Sequence, residues 1–302
     1  MIDQGPEITE RRLALAQTML RHAPESGTFS SAIAPMHIIR SDAPTDTLHV
    51  LHKPALCIIA QGRKVVRLGD ERYVYDPLNY LMVSVTLPLS GQVIQASAEH
   101  PYLCLRLDID PSAIAQLITE TNPGAAPGQT GGRGLYLDAI DSPLLDATLR
   151  LLRLLDTPAD IPVLAPLALR EIYYRLLKGQ QGQRLQEIAI ADTQTYRVTK
   201  AIEWLNRHYD QPLQIEALAG HVNLSTSTLH HRFKSLTSMS PLQYQKQLRL
   251  QEARRLMIAE DLEASAAGFK VGYESPSQFS REYSRLFGAP PSRDKARIRS
   301  FA

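Results

Sequence analysis

Apolar positions along the chain fall into three successive patterns. Residues 7 to 21, EITERRLALAQTMLR, place Leu13, Ala16, Met19 and Leu20 at helical spacing, which predicts an opening amphipathic helix with those four as its apolar stripe. From about 28 to 110 the runs shorten to HVLHKPALCIIAQ, RKVVRLGD, ERYVYDPLNYLMVSV and YLCLRLDID, broken by Gly, Pro and Asp. Short strands so punctuated predict an antiparallel sandwich or barrel, with KVVRL and RYVYD forming a hairpin across Gly69-Asp70-Glu71. After Pro111 the helical period returns in SAIAQLITE, SPLLDATLRLLRLLD and LAPLALREIYYRLLKG, with Ser142-Pro143 as the expected N-cap and first-turn proline and Gly179 as the stop.

Two of these helices hold more apolar surface than a lone surface helix needs. Leu145, Leu149, Leu152 and Leu155 form one stripe, while Leu144, Leu151 and Leu154 spread round the cylinder, so the pair either packs on both sides or forms a subunit interface. Residues 122 to 134, NPGAAPGQTGGRG, read as a mobile loop, since they match no phosphate-binding pattern with its Lys followed by Ser or Thr. A Gln-rich polar stretch, GQQGQRLQEIAIADTQ, reads as a connection to a C-terminal unit. The expected organisation is therefore 1–180, a linker at 181–193, and 194–302.

The C-terminal unit repeats itself at a period of 50 residues. Ser225, Ser227, Leu229, Phe233, Leu236 and Pro241 recur as Ser275, Ser277, Phe279, Tyr283, Leu286 and Pro291. Each copy reads as a short helix (QIEALAGHV or DLEASAAGFKV), a tight turn, and a second helix opened by an N-capping Ser. The apolar positions of the second helices are spaced 4 and 3 and so form a buried stripe. The opposite face then carries Ser227, His230, His231 and Lys234 in copy one, and Ser277, Gln278, Arg281 and Arg285 in copy two. Small residues admit a helix close to a groove floor, and Gln and Arg offer paired hydrogen bonds to adenine and guanine edges. PLQYQKQLRLQEARRLMIAE between the copies predicts one long connecting helix with Leu250, Ala253 and Met257 packed.

Charge adds to this picture. The whole chain of 302 residues is nearly balanced at +2, but from Gln194 onward 16 Lys and Arg face 10 Asp and Glu, a net of +6, against −4 for the remainder. A basic third beside an acidic remainder points to a polyanion partner for the former. Composition, 44% hydrophobic and 21% charged, is that of a globular protein of two domains. No apolar run reaches the roughly 18 residues of a membrane span, and MIDQGPEITERR lacks the order of a signal peptide, so a cytoplasmic protein without a membrane partner is expected. Cys57 and Cys104 both lie in apolar runs and read as buried thiols rather than a disulfide framework.

Residues 194 to 297 closely resemble the double helix-turn-helix domain of the AraC/XylS family of bacterial transcription regulators. VGYESPSQFSREYSRLFGAPPS carries the likeness, with Gly272-Tyr273, Ser275-Pro276-Ser277, Phe279-Ser280-Arg281, Phe287-Gly288 and Pro291 in register, and LSTSTLHHRFKSLTSMSPLQY follows more loosely. The resemblance implies base contacts from Thr226, Ser227, His230 and His231 in the first reading helix and from Ser277, Gln278, Ser280 and Arg281 in the second. Arg232, Lys234 and Arg285 are the corresponding phosphate-contact expectations, which position without specifying. Upstream, ALCIIAQGRKVVRLGDERYVYDPLNYLMVSVTLP looks like the cupin-type sensory domain found in part of that family, through Gly62-Arg63-Lys64, Gly69-Asp70, Tyr75-Asp76-Pro77 and Ser84. It implies an α+β chain: a cupin-like jelly-roll barrel with flanking dimerisation helices, then an all-α double reader. The partners so implied are double-stranded DNA, a small-molecule effector in the barrel, a second copy of the chain, and RNA polymerase.

Competing chemistries find little support in the residues. Metal-dependent cupins use His-x-His with a carboxylate and a further His, whereas this region offers His37, His49, His52 and His100 without that spacing, so no metal or other cofactor is expected. No Gly-x-Ser-x-Gly elbow is present, and neither Cys adjoins a His or Arg in sequence, so no catalytic residue is assigned. Tyr80, His100, Tyr102 and Arg106 are candidate linings of an effector pocket, and Cys57 a candidate redox or electrophile sensor. His230-His231 diverge by about 100 degrees on a helix and cannot share one ion unaided. The rival reading is a cupin-type enzyme whose C-terminal part mediates protein contacts.

Overall fold

The computed structural model describes residues 6–121, 132–190 and 193–299. It opens with helix α1 (Pro6–His22), whose buried side is Leu15, Ala16, Thr18 and Met19. The expected stripe was partly misplaced: Leu13 is 53% exposed and Leu20 37%. A β region follows: β1 (Gly27–Ser30), β2 (Met36–Ser41), β3 (Leu48–His52), β4 (Ala55–Gln61), β5 (Arg63–Leu68), β6 (Glu71–Tyr75), β7 (Asn79–Val83), β8 (Leu87–Gln95) and β9 (Tyr102–Asp108). After α2 (Pro111–Thr121) a further strand, β10 (Leu135–Ala139), returns to the sheet.

These strands form two antiparallel sheets, β1-β2-β9-β4-β7-β10 and β3-β8-β5-β6. The result is a jelly-roll-like sandwich; the sheets do not close into the expected barrel. The β5–β6 hairpin turns on Gly69-Asp70 alone, because Glu71 already pairs with Leu68. Strand β8 is hard to read in sequence because Pro88 and Gly91 interrupt its pattern, yet it is the longest, with nine residues.

Helices α3 (Ser142–Arg153) and α4 (Ile161–Lys178) are linked by two short 3-10 turns. The N-cap of α3 is Asp141, which accepts from Leu144 N, so Ser142 is the first helical residue and not the cap. Packed against α1 and α4, α3 buries Leu144, Leu145, Leu149, Leu151 and Leu152 inside its own chain. The stretch read as a polar linker contains α5 (Gly182–Ala189), whose Leu185, Gln186, Glu187 and Ile188 are buried against α2, α4 and the next helix. Of the loop expected at 122–134, residues 122–131 lie outside the described residues.

The C-terminal unit comprises α6 (Gln194–Arg207), α7 (Ile215–His221), α8 (Thr226–Thr237), α9 (Pro241–Ala259), α10 (Ala264–Lys270), α11 (Pro276–Phe287) and α12 (Pro291–Arg299). Apolar packing does not follow the expected division into two separate cores. One contiguous core runs from the sandwich through Leu185 and Val198 to Leu229, Phe233, Leu236 and Tyr244. A second is confined to the C-terminal half of α9 and to α10 and α11, around Met257, Ala267, Phe279, Tyr283 and Phe287. The first helix-turn-helix thus shares the core of the sandwich, while the second has its own core and meets the sandwich where the His49 ring of β3 lies edge-on to Phe287 at 5.3 Å.

Candidate nucleic-acid interface

Both reading helices begin as the sequence requires. Ser225 accepts from Thr228 N and Ser275 from Gln278 N, satisfying amides that the first turn leaves without partners. Each ends on a left-handed residue, Ser238 at φ +60° in the first copy and Gly288 at φ +75° in the second, again 50 positions apart. Glycine adopts that conformation without steric cost; serine does not.

The buried stripe consists of Leu229, Phe233 and Leu236 in α8 and of Phe279, Tyr283 and Phe287 in α11, with Leu286 only half-buried. Ring contacts lock the second stripe: Phe279 lies edge-on to Tyr283 at 5.5 Å, and Tyr283 sits 4.4 Å from Phe287. With those faces inward, Thr226, Ser227, His230, His231 and Lys234 are exposed on α8, and Ser277, Gln278, Arg281 and Arg285 on α11. Among the described residues His230, Arg281 and Arg285 have no hydrogen-bond or ion-pair partner, which leaves their donors available. Ser280 is half-buried, and its carbonyl accepts from Ser284 Oγ.

Two expected contacts are engaged elsewhere. Arg232 is half-buried on the shoulder of α8 and donates from Nε to Gln194 Oε1 at 2.7 Å, apart from the outward row. Gln278 Nε2 donates to Glu282 Oε1 at 3.2 Å, which orients the amide. Glu282 itself is held by Lys246 Nζ at 2.9 Å and by the Tyr273 hydroxyl at 2.8 Å. Burial would lift its carboxyl, but Lys246, Tyr273 and Gln278 outweigh that and keep it below the usual carboxylate range. The negative charge on the second reading helix itself is thereby paired.

Supporting residues escaped the sequence reading because nothing local marks them. Arg249 donates to Tyr209 O, Gly272 O and Gln211 O at 2.6, 2.8 and 2.9 Å, tying the loop after α6 to the turn of the second copy. Asp294, fully buried, accepts from Arg254 Nε and the Tyr283 hydroxyl, both at 2.8 Å, and from Arg297. Burial would raise its carboxyl, yet those donors hold it below its ordinary value.

The suggested effector residues do not converge. Tyr102 and Arg106 share a face of β9 with Cys104, whereas Tyr80 pairs with Ile58 on the opposite face and donates to Asp138; His100 is exposed. Inside the sandwich, Cys57 Sγ lies 3.9 Å from His52 Nε2, a proximity the sequence did not reveal. Burial brings that imidazole down to about 4, so it stays neutral near pH 7. Among the described residues no three His, Cys, Asp or Glu side chains gather as a metal set.

The molecule is thus a β-sandwich joined to two capped helix-turn-helix units with donor-rich outer faces. The AraC-type transcriptional regulator N-terminus matches residues 32–184 and a helix-turn-helix domain matches residues 218–297. The chain belongs to the AraC-type transcriptional regulators. Similar curated proteins include the transcriptional regulator CdhR of Pseudomonas aeruginosa, 32% identical over 122 residues (40% of this chain, 36% of that protein). The transcriptional activator RhaS of Escherichia fergusonii is 34% identical over 95 residues (32% of this chain, 34% of that protein). The chain therefore spans about a third of the length of these relatives. ToxT of Vibrio cholerae O395 shares the fold at a TM-score of 0.52 and 13% identity, over 86% of this chain and 96% of that one. ToxT with a bound unsaturated fatty acid aligns at 0.53 and 11% identity, over 86% and 94%.

Proposed function

We propose that the protein binds an operator as a homodimer through Ser227, His230 and His231 of α8 and Gln278 and Arg281 of α11, and that a small molecule bound by the N-terminal domain controls it. The observation that carries this reading is the pair of exposed outward rows, in which His230 and Arg281 have no partner among the described residues and Gln278 is oriented by Glu282, on helices whose opposite faces are packed. Lys234 and Arg285 flank those rows and suit phosphates. Effector control draws support from the fatty acid bound in one ToxT structure, which shares the fold. Val163, Leu167 and Tyr174, spaced 4 and 7 on α4, are 67%, 60% and 42% exposed and supply an apolar seam for a second copy. No helix among the described residues is long and apolar enough to cross a membrane. The protein acts on chromosomal DNA in the cytoplasm, without catalysis, and an activating role adds contact with RNA polymerase.

The test is fluorescence anisotropy with an operator selected from a random DNA pool by the full-length protein. Affinity should fall steeply with salt, the logarithmic slope growing by roughly 0.9 per phosphate neutralised. A flat salt profile, or no selected sequence, overturns the reading.

A further inference from the structure

The sandwich hydrogen-bonds to the end of one reading helix, whereas it meets the other through the edge contact of His49 with Phe287 at 5.3 Å. Lys234 O and Ser235 O, at the end of α8, accept from Arg133 Nη1 at 3.1 and 2.7 Å, and Leu236 O accepts from Gly134 N at 2.8 Å. Carbonyls of a last turn largely lack helical partners; Lys234 O accepts also from Ser238 N at 2.9 Å, and all three in succession are met by two adjacent residues more than 100 positions earlier in the chain. The corresponding carbonyls of α11, on Ser284, Arg285 and Leu286, receive no donor from the sandwich among the described residues. This asymmetry matches the division of the cores, in which α8 joins the sandwich and α11 does not.

The grip is anchored in both sheets. Arg133 Nε donates to Glu71 Oε1 at 2.7 Å, at the start of β6 in the four-stranded sheet. Gly134 O accepts from Ser84 N at 2.8 Å and Ser84 Oγ at 3.1 Å, just beyond β7 in the six-stranded sheet, and β10 begins at the next residue. Gly134 fits only without a side chain, since a Cβ there would stand 2.8 Å from Val85 Cγ2 and 3.2 Å from Leu236 O. Any change that spreads or slides the two sheets must therefore move the end of α8 or break these bonds. Gly69 also approaches Ser238, and Asp70, Glu71, His231 and Lys234 line one cleft of about 460 Å³ at this junction.

The geometry points to Arg133, with Gly134, as a positioning residue for DNA reading: the sandwich fixes the register of the first reading helix in its groove through these bonds, while the second is held by none of them. This rests on the reading of α8 as a DNA-contacting helix. Base discrimination at the first half-site then depends on the state of the sandwich, and discrimination at the second does not. Arginine suits the task because its planar fork serves a carboxylate and two carbonyls at once, which a lysine ammonium does with less directional control.

The experiment uses full-length protein and an operator selected by the wild type, with each base pair then substituted in turn. His230→Ala marks the base pairs read by α8, and Arg281→Ala those read by α11. In Arg133→Ala, and independently in Gly134→Ala, the affinity penalty for substitutions in the α8 set should shrink roughly fivefold, while the α11 set keeps its full penalty. Arg133→Lys should lie between Arg133→Ala and the wild type. An equal loss over both sets, or none in variants whose circular dichroism matches the wild type, overturns the inference. Selection of no sequence, or a His230→Ala that alters no base pair, defeats instead the reading of α8 beneath it.

Discussion

Replacing Asp294 by Asn should unfold the second helix-turn-helix ahead of the rest of the molecule. The carboxylate is fully buried and pairs with Arg254, whose side chain is 16% exposed, while also accepting from Tyr283 and Arg297. Breaking a buried pair by removing one partner costs about 3 to 5 kcal/mol, because the remaining charge loses its compensation. An Asn oxygen can still accept from Tyr283, so the loss should fall near 3 kcal/mol. That loss belongs to the second core, which is separate from the one against which Trp204 packs. Urea unfolding followed by circular dichroism at 222 nm should therefore show an early helical loss while Trp204 fluorescence holds its wild-type midpoint. The sign with pH follows from the lowered carboxyl: its stabilisation is present above about pH 4, the unfolded value, and fades as pH drops through the folded one. The gap between variant and wild type should thus narrow on acidification below pH 4. Coincident transitions shifted equally by both probes, or a loss under about 1 kcal/mol, would refute the reasoning.

Other substitutions test separate parts of the account. Ser238→Gly should raise stability by up to about 1 kcal/mol in thermal unfolding, since it relieves a left-handed serine where the second copy already has Gly288. Ser275→Ala should cost about 1 kcal/mol by removing the cap on Gln278 N, and should weaken operator binding through fraying of the first turn of α11. Leu167→Glu should shift the protein from dimer to monomer in sedimentation equilibrium without lowering its melting temperature, because the side chain it replaces is 60% exposed.

The reading units were legible because local signals agreed there. Capping serines, the 4-and-3 apolar spacing and the 50-residue repeat all fixed the same helices and the same outward rows. The N-terminal half was less so. A two-residue period cannot distinguish a closed barrel from two facing sheets, and Leu13 looks as apolar as Leu15 although Leu15 is fully buried and Leu13 is 53% exposed. Helix α5 within the stretch read as a linker was not legible, because polar Gln186 and Glu187 are buried by neighbours remote in sequence, and such partners leave no periodic trace. Arg133 sits in a glycine-rich stretch resembling any surface loop, and its partners on α8 are visible only once the chain has folded. The hydrogen bond of Arg232 was hidden in the same way, since its partner Gln194 lies 38 residues upstream.

The central claim is that packing of the apolar stripes aims Gln278 and Arg281 of the second helix at base edges. It is tested most directly by comparing the wild type and Arg281→Ala on the selected operator and on variants substituted at every position. The account predicts a loss of about 1 to 3 kcal/mol on the operator and relaxed preference at one base pair, with the other positions keeping their penalties. Unchanged affinity and unchanged preference at every position would contradict it.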